Sequence, residues 1–129
     1  SAVLRDNYTD ALDFCACGPL IEELAHRLIF QELILKHGMT FCARHLRISF
    51  DPNSVYAKVF RVALSSLVFA AQHSWAFNTS LIINPYGAAA LVYLVVLGSI
   101  LGAAQEITGN TAYPLAIHVI NNTLTYYFT

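Results

Sequence analysis

The chain is 129 residues long, room for one domain, and 57% of it is hydrophobic while only 12% is charged; its mean hydropathy is +0.54. Such a composition excludes an ordinary soluble domain and makes a membrane protein the first expectation. The formal net charge of -1 hides an asymmetry, because all seven Lys and Arg residues lie at or before Arg61, and from Val62 to Thr129 the one charged side chain is Glu106.

In chain order, Ser1 is not followed by a signal peptide, since Arg5, Asp6 and Asp10 stand where an apolar stretch would be needed. The start without methionine suggests a piece of a longer chain, with residues 1–129 as its single domain. A first helix is expected from Thr9 or Asp10 through Leu35, stopping at His37 and Gly38. Gly18 and Pro19 interrupt it, and the missing N–H of the proline implies a kink or a new start. Irregular backbone inside a membrane needs a covering of protein or a water-filled cavity, which places a possible cavity beside Glu22.

Residues 38–53 read as a polar, basic connection ending in Asp51, Pro52 and Asn53. From Lys36 to Arg61 five basic residues (Lys36, Arg44, Arg47, Lys58, Arg61) face the single acid Asp51, so the positive-inside rule makes this connection cytoplasmic. His37 and His45 within it are expected to be solvated. Val55 to His73 then has just the length of a spanning helix. After the polar gap Asn78, Thr79, Ser80 and the breaker Pro85, Tyr86 to Ile107 is the clearest spanning segment, and its Gly98 and Gly102 allow a neighbouring helix to approach closely. Gly109 suits a left-handed cap after Thr108. A last helix is expected from Tyr113 to Phe128. The fold expected is therefore an all-α, multi-pass transmembrane bundle with about four helices in this chain.

Three irregularly spaced cysteines, Cys15, Cys17 and Cys42, imply no disulfide framework and read as small apolar residues. A zinc site made from them and His45 is disfavoured, because C-x-C on one helix points its thiols to different sides. No basic patch interleaved with aromatics suggests nucleic acid.

Ionisable groups in so apolar a chain need a reason, and they fall into three short motifs. In E-E-x-x-x-R, Glu23 and Arg27 stand four apart and can neutralise each other, while Glu22 projects about 100° away and remains free for other chemistry. F-x-x-x-H runs from Phe69 to His73 and H-x-x-x-N from His118 to Asn122, each placing its two members on one helical face. Taken singly, each has a bland explanation: an ion pair near the surface, an interfacial histidine, an interhelical hydrogen bond. Their combination is what informs.

In this order, with Thr108, Gly109 and Pro114 before His118, the motifs resemble the type II CAAX prenyl endopeptidase family, the wider group of CAAX proteases and bacteriocin-processing enzymes described as intramembrane glutamic endopeptidases. The resemblance runs from about Gly18 to Asn122. It implies a larger family fold, of which this chain is the core, and an endopeptidase acting near the membrane on peptide or prenylated protein substrates, including C-terminal CAAX-type tails, in contact with membrane lipid. It implies that Glu22 activates water, that His73 holds and orients it, and that His118 and Asn122 stabilise the oxyanion, with Glu23 and Arg27 in support and no metal or other cofactor. His26 and Leu28 flank Arg27 where many relatives carry an aromatic residue and a glycine, and His26 could hydrogen-bond Glu22. Upstream membrane helices usual in the family are absent from this sequence.

Two other readings use the same residues. Glu22, His73 and His118 could supply a two-His, one-Glu zinc site with an open fourth position, although no H-E-x-x-H signature is present. A non-catalytic membrane protein of bacteriocin-immunity or scaffold type could keep the motifs for stability or partner binding. The compartment expected is the bacterial cell membrane, with the endoplasmic reticulum membrane as the alternative, and the polar cavity is expected to meet the cytoplasmic side.

Overall fold

The computed structural model describes residues 9–76 and 85–128; Arg5, Asp6 and the polar gap at Asn78, Thr79 and Ser80 lie outside the described residues. The described residues are helical apart from short connections, in four helices. The first, α1, is continuous but not uniform. After one α-helical turn at residues 9–12 it widens to a π-helix at Asp13–Cys17, returns to α at Gly18–Glu23, widens again over Leu24–Lys36 and ends as an α-helix at His37–His45. The others are α2 (Val55–Ala76), α3 (Pro85–Thr108) and α4 (Ala112–Phe128).

Local sequence explains most of these boundaries. Gly18 closes the first wide turn by donating its N–H to the Asp13 carbonyl, and a Cβ there would lie 2.9 Å from that same oxygen. The helix therefore passes Pro19 without breaking: the proline stands in the first turn of the α-helical stretch that follows the wide turn, where its missing N–H is tolerated. At the other end, the expected stop at His37 and Gly38 is not made. The helix runs on to His45, because Gly38 meets no obstacle and polar side chains continue the rod: Lys36 pairs with Glu32 at 2.7 Å, and His37 Nδ1 lies 2.8 Å from the Glu32 carbonyl. His37 and His45 are exposed, in line with the sequence reading.

The connection to α2 is thus only residues 46–54, with Ser54 capping α2 through its Oγ, 3.2 Å from the Ala57 N–H. Gly109 takes the left-handed conformation (φ 65°) at the end of α3, and Asn110 Oδ1 accepts the Ala112 N–H to open α4. Pro85 is the first residue of α3 rather than a breaker before it, a position where the missing N–H costs nothing.

Two helical stretches, Val55–His73 and Gly87–Thr108, are long and apolar enough to cross a membrane, and only 33% and 28% of their residues are buried. A core helix of a soluble protein would be mostly buried; here the apolar side chains face outward. Inside, the apolar cluster is small, Phe69, Leu97 and Leu101 with Leu94 and Ile117 packed against it. Around it the interior is polar, with Glu23, Arg27, Gln31, Arg61, Ser65, Ser66, Gln105 and His118 all buried. Apolar outside and polar inside is the pattern that a hydrocarbon solvent selects.

The contact between α2 and α3 is the most extensive in the bundle. At Gly98 a Cβ would come within 3.2 Å of Ser66 Cα, and at Gly102 within 3.3 Å of both Arg27 Nη1 and Val62 Cγ1. These two glycines admit α2 and, beyond what the sequence suggested, the polar ends of Arg27 and Gln31.

Candidate active site

The second and fourth helices bring two histidines to the acidic turn of α1. His73 Nε2 lies 3.3 Å and His118 Nε2 3.5 Å from the same oxygen, Oε2 of Glu22, and neither contact has hydrogen-bond geometry: the oxygen is buried and unpartnered among the described residues. The opposite nitrogen of each ring is committed. His73 Nδ1 sits 2.8 Å from the Phe69 carbonyl and His118 Nδ1 2.7 Å from Glu23 Oε1. Both partners can only accept, so each Nδ1 carries the proton, and in the neutral rings each Nε2 presents a lone pair. An ionised Glu22 and the His73 nitrogen form a pair of acceptors suited to a molecule with two O–H donors, and His118 Nε2 becomes a donor when that ring is charged.

Glu23 and Arg27 lie behind this point, both side chains fully buried. Arg27 Nε donates to Glu23 Oε2 at 3.1 Å, Nη1 to Ser65 Oγ at 2.7 Å and to Gln31 Oε1 at 3.2 Å, and Nη2 to the Gly98 carbonyl at 3.1 Å. Glu23 is thereby fixed from one side by Arg27 and holds His118 on the other. The polar chain continues through Gln31 Nε2 to the Gly102 carbonyl and Glu106, and Glu106 forms a two-pronged pair with Arg61 at 2.7 and 2.8 Å.

Phe69, the aromatic residue of F-x-x-x-H, organises the histidines. Its ring is fully buried, 4.3 Å from the His73 ring, 5.4 Å from His26 and 5.8 Å from His118, with the Arg27 guanidinium 5.6 Å from its centroid. His26 does not bond the Glu22 carboxylate as its spacing allowed. Its Nδ1 lies 2.8 Å from the Glu22 backbone carbonyl, because four residues along a helix a ring folds back onto the preceding turn.

Asn122 makes no hydrogen bond to either histidine among the described residues. Its Nδ2 donates to the Phe14 carbonyl at 2.9 Å. Phe14 belongs to the wide turn before Pro19, where an i+5 partner would be residue 19, and proline has no N–H to give. The side chain of α4 satisfies what the proline leaves open.

Glu22, His73, His118 and Asn122 all line one cavity of about 1050 Å³. Most of its wall is apolar, including Phe14, Leu91, Leu94 and Leu97. The lining runs from Asp10 to Glu22 in α1, through Phe69 and His73 in α2, Gly87 to Leu97 in α3, and His118 to Tyr126 in α4. In every helix these positions lie toward the end remote from the basic connection. The expectation of a cavity on the same side as that connection is therefore corrected by the antiparallel packing. Arg61, grouped with the basic connection from its position in the chain, is instead fully buried against Glu106.

Gln31, Ser65, Asn121 and Tyr93 were not singled out from sequence. Gln31 had a signal, one helical turn beyond Arg27 on the face that begins at Glu23; Ser65, Asn121 and Tyr93 had none without the tertiary fold. Among the described residues no group of three His, Cys, Asp or Glu side chains has the arrangement of a metal site.

No curated protein and no solved structure matches the chain. The model of the Rce1-like type II CAAX prenyl endopeptidases matches residues 6–124, nearly the whole chain and every motif described above. With four helices among the described residues, an outward apolar surface and this match, the chain belongs to the Rce1-like type II CAAX prenyl endopeptidase family of membrane-embedded proteases.

Proposed function

We propose that the protein is an intramembrane endopeptidase in which Glu22 is the general base, acting without a metal on peptides whose C-terminal end, prenylated in the CAAX manner, lies in the apolar cavity. The observation that carries this reading is the convergence of His73 and His118 on the unpartnered Oε2 of Glu22 at the cavity wall. A water on the cavity side of this cluster donates one proton toward the Glu22 carboxylate and the other to His73 Nε2, which leaves an oxygen lone pair for the scissile carbonyl. Glu22 takes the first proton as the C–O bond forms, and returns it to the amine when the C–N bond breaks.

The oxyanion needs donors. His118 serves with both ring nitrogens protonated, and Glu23, 2.7 Å from Nδ1, supplies the counter-charge which that form requires. Asn122 has one N–H on Phe14 and a second without a partner among the described residues. Loss of one such donor typically lowers kcat by about 10²–10³-fold.

The test is cleavage of a fluorogenic prenylated CAAX-type peptide by the protein in liposomes, comparing wild type with Glu22→Gln, with and without chelator. Cleavage that survives chelator and disappears in Glu22→Gln is expected. Loss to chelator, restored by zinc, would make Glu22, His73 and His118 metal ligands instead. No cleavage of prenylated or unprenylated peptides by folded wild type would favour the bacteriocin-immunity or scaffold role.

A further inference from the structure

The amide of Asn122 has two possible orientations, which set its NH₂ either at Phe14 or at Asn121. Its Oδ1 accepts from Asn121 Nδ2 at 3.3 Å, and Asn121 Oδ1 accepts from the Tyr93 hydroxyl of α3 at 2.7 Å. At the far end Nδ2 of Asn122 donates to the Phe14 carbonyl at 2.9 Å. The run Tyr93–Asn121–Asn122–Phe14 therefore joins α3, α4 and the wide turn of α1, and all four residues line the cavity.

Turning the Asn122 amide over would set two carbonyl oxygens against each other at Phe14 and two NH₂ groups against each other at Asn121. The Phe14 carbonyl can only accept, which settles one end. That leaves Asn122 Oδ1 for the NH₂ of Asn121, and the Tyr93 hydroxyl, which can donate or accept, follows this order by donating to Asn121 Oδ1 and holds the amide in place. From this geometry we infer that Tyr93 and Asn121 are positioning residues that hold the second N–H of Asn122 toward the reacting carbonyl; the inference rests on the oxyanion role proposed above for Asn122.

The expected effects fall on kcat, because a misaimed donor is missed in the transition state more than in the bound substrate. Steady-state cleavage of the prenylated peptide by protein in liposomes should show kcat reduced about tenfold in Asn121→Leu and several-fold in Tyr93→Phe, with KM within about twofold of wild type. Asn121→Asp, nearly the same shape, should be slower than Asn121→Leu: its carboxylate accepts from Tyr93 and draws the NH₂ of Asn122 away from the cavity. A purely structural role predicts the reverse order. In an Asn122→Ala background the Tyr93 and Asn121 changes should cost nothing further, since residues acting as a unit are not additive.

The proposal is overturned if the Asn121 variants keep wild-type kcat, if the loss appears in KM alone, or if the losses multiply in full with that of Asn122→Ala. Wild-type kcat in Asn122→Ala itself would withdraw the oxyanion role and this proposal with it. A slow Asn122→Ala beside fast Asn121 variants would overturn only the positioning relay.

Discussion

Replacing Arg27 by leucine removes the donor to four acceptors at once: Glu23, Gln31, Ser65 and the Gly98 carbonyl. The carboxylate of Glu23 has no exposed surface, so it keeps a charge in the bundle interior with only His118 beside it. Taking away one member of a buried ion pair typically costs about 3–5 kcal/mol, a large part of the roughly 5–15 kcal/mol that holds a domain folded. Arg27→Lys should cost about 1–2 kcal/mol, because a compact ammonium cannot span acceptors that lie on three helices. The double variant Glu23→Leu/Arg27→Leu removes both charges and should be less destabilised than Arg27→Leu alone. Reversible unfolding in mixed micelles, followed by circular dichroism, gives the stabilities of wild type, Arg27→Leu, Arg27→Lys, Glu23→Leu and the double variant. Arg27→Leu within about 0.5 kcal/mol of wild type, the range of an ordinary surface change, or a double variant equal to the sum of its singles, would refute the view that Arg27 neutralises Glu23 in a closed interior.

Three further outcomes are expected. Gly18→Ala places a methyl group 2.9 Å from the Asp13 carbonyl oxygen; the wide turn must shift, at about 1–3 kcal/mol in the same unfolding assay, with slower peptide cleavage. Phe69→Ala removes the ring against which three histidines and Arg27 pack and should destabilise by about 3–5 kcal/mol, whereas Phe69→Leu should fold and still lose most of its cleavage rate. In a background without the natural cysteines, Asp10→Cys and Arg47→Cys should react with an impermeant thiol reagent from opposite sides of a sealed liposome; labelling of both from one side would contradict the placement of the cavity away from the basic connection.

Much of this architecture could be read from the chain alone. Long uncharged runs fixed the existence and order of α2, α3 and α4 to within a few residues, and Gly109 announced its turn because a glycine just past an apolar helical run suits the left-handed cap. The end of α1 was misread for the complementary reason. Beyond Leu35 the helix leaves the apolar region, so the periodic signal ends while hydrogen bonding continues to His45. Glu22, His73 and His118 were legible because costly groups recur at spacing four in a chain with few charges. The partners of Arg27 were not: a serine hydroxyl and a glycine carbonyl carry no mark in sequence. Arg61 and Glu106 did carry one, as the last basic residue and the one acid of an otherwise uncharged stretch, but pairing them requires knowing that α2 and α3 run antiparallel.

Entry into a bilayer treats the two buried ion pairs differently. Glu23 and Arg27 share adjacent turns of one helix and can insert already neutralised. Arg61 must wait 45 residues for Glu106. During synthesis α2 carries an uncompensated guanidinium six residues from its start, and the long side chain is held at the water interface until α3 arrives. These two helices are thus suited to partition as a hairpin rather than one after the other. A chain truncated before Pro85 is expected to leave α2 poorly inserted, and Arg61→Leu to restore its insertion.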